Sequence, residues 1–229
     1  MEIEQHLYDL NDSGDAIVAY TMRSASGGFV QLCNLGASLL GYTLVGADGV
    51  VHEIASARSV LGLSGLTDDR ERFGERLWES RVEFNRVIMS LSYDSNGVGV
   101  RIEVVFDYDD EDSFEVTYQA VVDSDMNFDL SHQIDFSLGE GAKCEVLGAE
   151  KEPKIYDIEG AKSGILSKVA TLHTPMLSNP IEILSSQPSL YYSVGDDSVV
   201  SLAPVTTPAS LLVEGKRFVQ KSVFRPILK

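Results

Sequence analysis

Val100-Arg101-Ile102-Glu103-Val104-Val105-Phe106-Asp107-Tyr108 changes chemistry at almost every step. Val100, Ile102, Val104, Phe106 and Tyr108 share one face and Arg101, Glu103 and Asp107 the other, with Val105 the single apolar residue on the polar side. Successive side chains of a strand point to opposite faces, so this period of two reads as a half-buried β-strand. An acidic connection, Asp109 to Ser113, leads into a second alternating run with Phe114, Val116, Tyr118, Ala120 and Val122 on one face. The two runs predict a long antiparallel hairpin.

Working outward, a third run extends from Phe128 to Leu138, with Phe128, Leu130, Ile134, Phe136 and Leu138 at its even positions. The exception is His132. Shorter strands are expected at Ile181 to Leu184, Ser189 to Val194, Ser198 to Leu202, Ser210 to Val213 and Arg217 to Phe224, each bounded by Pro, Gly, Asn or Asp. One helix is expected, Thr67 to Ser80, with Thr67 as N-cap and Phe73 and Leu77 four residues apart. No repeat, linker or shift of composition divides the chain, so residues 1–229 are read as one domain, an all-β, large antiparallel β-sandwich.

The 229 residues suffice for a self-supporting core, and 44% hydrophobic with 23% charged residues is ordinary globular usage. The 35 acidic residues against 18 basic ones leave a net charge of −17, which repels nucleic acid and anionic membrane surfaces. Between Arg23 and Asp48 no charge occurs, but Gly27, Gly28, Gly36, Gly41 and Gly46 cut the stretch into strand-length pieces and argue against a spanning helix. Cys33 and Cys144 are too few for a disulfide framework and are expected to be free, buried thiols. The opening residues carry neither a basic nor an apolar signal region, so a cytoplasmic location is expected.

Candidate chemistry is sparse. Asp107 to Asp112 carries five carboxylates, yet a calcium loop begun at Asp107 would need Gly and Glu where Asp112 and Tyr118 stand, so a solvated hairpin tip is expected. His6, His52, His132 and His173 are scattered without zinc spacing, and no metal or cofactor is expected. Nucleophile-elbow and phosphate-loop motifs are missing. Trp78 and the pair Tyr191-Tyr192 could stack on a sugar or fill core and interface positions. His132, on an apolar strand face, is either a satisfied core residue or a titratable group held dry for proton transfer.

Three stretches resemble the aldose 1-epimerase, or galactose mutarotase, family. Tyr20-Thr21-Met22 through Gly36-Ala37-Ser38-Leu39 to Asp48-Gly49 resembles its opening strands. Tyr118 to Asp123, then Phe128-Asp129-Leu130-Ser131-His132 and Phe136-Ser137-Leu138, resembles its "tyr-x-ala-x-x-asp … asn-leu-thr-asn-his-x-tyr-phe-asn-leu" signature. Gln187-Pro188-Ser189-Leu190-Tyr191-Tyr192 and Leu212 to Phe218 resemble two later segments. The resemblance implies a β-sandwich in which a carboxylate deprotonates the anomeric hydroxyl of a hexose while a histidine protonates the ring oxygen.

On that resemblance His132 takes the place of the proton-donating histidine and Asp157 that of the substrate-binding aspartate; with the aromatic Trp78 and Tyr191, Asp157 completes the candidates for sugar contact. The family's catalytic glutamate falls on Ala203, which cannot accept a proton, and the connection from Leu66 to Leu77 is too short for the family's arginine and second histidine. The chain therefore reads as a shortened, degenerate member that binds a small-molecule sugar with weak or no epimerase activity. Two alternatives stay open: an active epimerase with a base relocated to Glu75, Glu79 or Glu214, or a non-catalytic scaffold, with a homodimer possible.

Overall fold

The computed structural model describes residues 1–56, 61–62, 73–128, 130–146, 154–158, 164–194, 199–205 and 210–227. Strands β1 (Glu2–Leu10), β2 (Ala16–Arg23), β3 (Phe29–Cys33), β4 (Ser38–Val45) and β5 (Val51–Ser56) form an antiparallel meander. After β6 (Leu61–Gly62) and one 3-10 turn (Phe73–Glu75), a second meander comprises β7 (Glu79–Glu83), β8 (Arg86–Ser95), β9 (Val98–Tyr108) and β10 (Phe114–Val122). Three short strands follow, β11 (Met126–Phe128), β12 (Ser131–His132) and β13 (Ile134–Ser137). The remainder is β14 (Lys143–Val146), β15 (Lys154–Asp157), β16 (Ser167–His173), β17 (Ile181–Ser185), β18 (Ser189–Val194), β19 (Val199–Val205), β20 (Ser210–Leu212) and β21 (Phe218–Pro226).

These strands build an antiparallel β-sandwich. One sheet of nine runs β1-β2-β3-β4-β5-β13-β19-β18-β15, and one of eight runs β14-β16-β17-β21-β10-β9-β8-β7. The hairpin read from alternation is β9–β10, with Phe114 opposite Tyr108 and Val122 opposite Val100. From Val100 to Val122 its even-numbered strand side chains are buried and its odd-numbered ones more exposed. The sheets meet through aromatic contacts, Tyr42 to Phe114 with centroids 5.9 Å apart and Phe136 to Phe224 at 6.0 Å. Such ring pairs add specific geometry to the apolar area they remove from water.

The run from Phe128 to Leu138 is not one strand. Its pieces pair in three places: β11 with β20, β12 with β6, and β13 between β5 and β19. Of the expected helix, residues 67–72 lie outside the described residues, Phe73–Glu75 makes a single 3-10 turn, and Glu79 and Ser80 already belong to β7. The turn is pinned by backbone instead, Gly36 N–H donating to Arg76 O and Trp78 N–H to Asn34 O, both at 2.8 Å. Gly36 has a positive φ of 72°, and a Cβ there would lie 2.7 Å from Gly74 Cα. Gly36→Ala is thus expected to cost more than about 1 kcal/mol in urea unfolding; an unchanged midpoint would show that the turn can yield.

Ion pairs cover the outer side of the eight-stranded sheet, including Arg81–Glu103, Arg86–Asp107 and Lys221–Glu115. Both cysteines are free; Cys33 is buried, whereas Cys144 is only half-buried, a correction to the expectation for the second thiol. Among the described residues no helix is long and apolar enough to cross a membrane.

Candidate functional site

β12 pairs with β6 while keeping the alternation of its neighbours, and it delivers the His132 imidazole between the sheets, 3% exposed. His132 Nε2–H donates to Ala37 O at 2.9 Å, a bond that leaves Nδ1 as the acceptor of the Tyr118 hydroxyl at 2.6 Å. The ring lies 5.4 Å from that of Tyr118 and 5.9 Å from that of Phe106. Burial pulls its pKa down to about 4, against a smaller upward effect of the Ala37 carbonyl. An imidazole so enclosed, neutral and bonded at both nitrogens, has no path by which to hand a proton to a sugar. The catalytic expectation for His132 does not hold in this structure, because the face that looked like a site is the core.

Trp78 is also interior, 1% exposed, with its indole N–H directed at Phe73 O at 3.4 Å and its ring edge-on to Phe73. It offers no sugar platform. Glu75, Glu79 and Glu214, the carboxylates considered for a relocated base, are exposed.

The opposite parity gathers a different set. Gln133 and Asp135 point to the outer face of the nine-stranded sheet. Asp135 Oδ1 accepts from Ser201 Oγ at 2.6 Å and, more weakly, from Gln133 Nε2 at 3.4 Å. Registry makes a row across three strands, Asp135 opposite Ser201 and Ser201 opposite Ser193. Two residues along the same face, half-buried Tyr191 stands directly across from Ala203 and from Ile155. Asp157 follows on that face, exposed, accepting from Ser189 Oγ at 3.0 Å. The structure thus brings together Tyr191, Asp157 and Ala203 from the sequence reading and separates them from His132 and Trp78. Gln133, Asp135 and Ser201 were missed there, although they occupy the odd-numbered, polar side of alternating runs.

This arrangement presents an amide, a carboxylate, hydroxyls and one aromatic face side by side. Among the described residues no three His, Cys, Asp or Glu side chains converge to hold a metal ion.

No family model and no curated protein sequence matches the chain. Solved structures do. A galactose 1-epimerase from Lactobacillus acidophilus superposes with a TM-score of 0.76 over 98% of each chain at 12% identity. The chain has the galactose mutarotase fold. A GalM/aldose epimerase homologue from C. elegans covers 90% of this chain and 97% of its own with a TM-score of 0.70 and 12% identity. A galactose mutarotase-like protein from Lactobacillus casei covers 91% and 99% with a TM-score of 0.66 and 13% identity.

The spacing of the middle motif allows a second register of the resemblance. In the signature that this segment resembles, phenylalanine follows the histidine by three residues; Phe136 follows Gln133 by three and His132 by four. Matching Phe136-Ser137-Leu138 puts Gln133, on the outer face, at the histidine's place. A one-residue slip in a strand exchanges its two faces.

Proposed function

We propose that this mutarotase-fold chain binds a polyhydroxylated, sugar-like ligand on the outer face of its nine-stranded sheet and does not interconvert anomers. The observation that carries the reading is the content of that face: Gln133, Asp135, Ser201, Ser193 and Tyr191 offer hydrogen bonds and a stacking surface, and no histidine stands among them to partner the carboxylate. Ring opening needs one group to take the anomeric proton and another to supply the ring oxygen. Ala203 stands where the resemblance puts the base, and Gln133 does not titrate. Absence of a positioned proton-transfer group typically removes about 10²–10⁴-fold in rate.

Proton NMR saturation transfer on equilibrated galactose or glucose tests both halves. Saturation is expected to pass from protein to sugar, with anomer exchange at the buffer rate. Asp135→Ala, which removes a charged acceptor, is expected to weaken binding about tenfold or more. Exchange above the buffer rate would overturn the non-catalytic half, and silence at millimolar sugar would overturn the binding half.

A further inference from the structure

β1 is the outermost strand of the nine-stranded sheet, paired with β2 alone among the described residues. Eight of its nine residues are exposed, on both faces, among them Leu7 at 63%, Tyr8 at 58% and Leu10 at 55%. At about 3.4 Å per residue it presents an edge of roughly 30 Å whose outward backbone groups pair with no other strand among the described residues. Soluble proteins commonly blunt such an edge with lysine, proline or short length. β1 contains neither lysine nor proline, and from Glu2 to Leu7 it runs regularly against β2, the one register shift falling between Leu7 and Asp9.

We propose that β1 pairs antiparallel with β1 of a second copy of this chain, across a two-fold axis at Gln5, to join the two nine-stranded sheets edge to edge. The charge pattern selects both the partner and the register. In a two-fold antiparallel pair, facing side chains share a face, so some residue must face its own copy. Centring on Glu4 opposes Glu4 to Glu4, and centring on Ile3 opposes Glu2 to Glu4. Centring on His6 sets Ile3 against Asp9 and Gln5 against Leu7, while centring on Leu7 sets Gln5 against Asp9. Only the Gln5 register matches chemistry over the regular part of the strand, before the register shift between Leu7 and Asp9: Glu4 faces His6 twice and Ile3 faces Leu7 twice. Cross-strand pairs of these kinds each favour association modestly.

One strand per copy is a small interface, and each copy carries a net charge of −17. The dimer is therefore weak, on the order of 10–100 µM, and tightens as salt screens the repulsion. Sedimentation velocity across a concentration series at about 0.5 M NaCl is expected to show a reversible monomer–dimer equilibrium. Glu4→Lys, which sets a cation against His6, is expected to weaken it about tenfold, and adding His6→Glu to restore it. Both positions are exposed, so neither change threatens the fold. A wild type monomeric at every concentration, a dimer indifferent to Glu4→Lys, or a double variant that stays weak would each overturn the pairing.

Discussion

Replacing His132 by glutamine is expected to remove a large part of the acid sensitivity of folding. In the folded chain the imidazole is neutral, Nε2–H bonded to Ala37 O and Nδ1 receiving the Tyr118 hydroxyl, and protonation would require that hydroxyl to turn away. The folded form holds the pKa at about 4, chiefly through burial, against an ordinary imidazole value of 6.5. As pH falls below 6.5, the unfolded chain takes up a proton that the folded chain refuses. Stability present above that pH is therefore lost progressively down to about 4. The interval is worth about 3 kcal/mol. Urea midpoints of the wild type and His132→Gln at neutral pH and near pH 4.5 measure it, because the carboxylate contributions common to both proteins cancel in the difference. An NMR titration of the His132 ring in the wild type gives an independent reading. Equal pH dependence in the two proteins, or a ring that titrates near 6.5, would sink the account.

Asp112→Ala is expected to cost about 3–4 kcal/mol, most of it from one carboxylate that ties the sheets together. The β9–β10 connection, expected as a solvated tip, is so only in part: Asp109, Asp110 and Glu111 are exposed, whereas Asp107 pairs with Arg86 at 2.6 Å. Asp112 turns inward. Its carboxylate accepts from Ser24 Oγ at 2.5 Å, Ser26 Oγ at 2.7 Å and the Tyr108 hydroxyl at 2.7 Å. Its backbone carbonyl accepts from the Tyr42 hydroxyl at 2.8 Å. Burial and then the bond to Asp112 push the Tyr108 phenol well above its ordinary range. Asp112 also has a φ of 61°, which asparagine tolerates and alanine does not readily adopt. Asp112→Asn should therefore lose only about 1–2 kcal/mol, separating charge from backbone strain. A near-neutral Asp112→Ala in chemical denaturation would show that the bonds between this turn and Ser24 and Ser26 are made as well to water.

The outcomes at His132 and at the middle motif share one cause. Alternation reports that a strand has two faces, and it identifies the apolar one. It does not report whether an odd residue on the apolar face, such as His132, looks into a cleft or into the core. That depends on Tyr118 and Ala37, 14 and 95 residues away in sequence, arriving with a hydroxyl and a carbonyl to satisfy both ring nitrogens. The motif spacing from Phe136 to Gln133 was present in the chain all along. It gains its meaning once the outer face is seen to hold Asp135 and Ser201.

Period-two patterning and turn residues are local properties, and by themselves they determined the β9–β10 hairpin, the positions of β17, β18 and β21, and the all-β sandwich built from them. Tertiary structure alone decided the division of the Phe128–Leu138 run among three pairings, the interior fate of Trp78, the polar row Asp135–Ser201–Ser193, and the capture of Asp112 by Ser24 and Ser26. Each of these is a partnership between segments distant in the chain. Its energy comes from desolvating both sides at once, so neither segment read alone carries a sign of it.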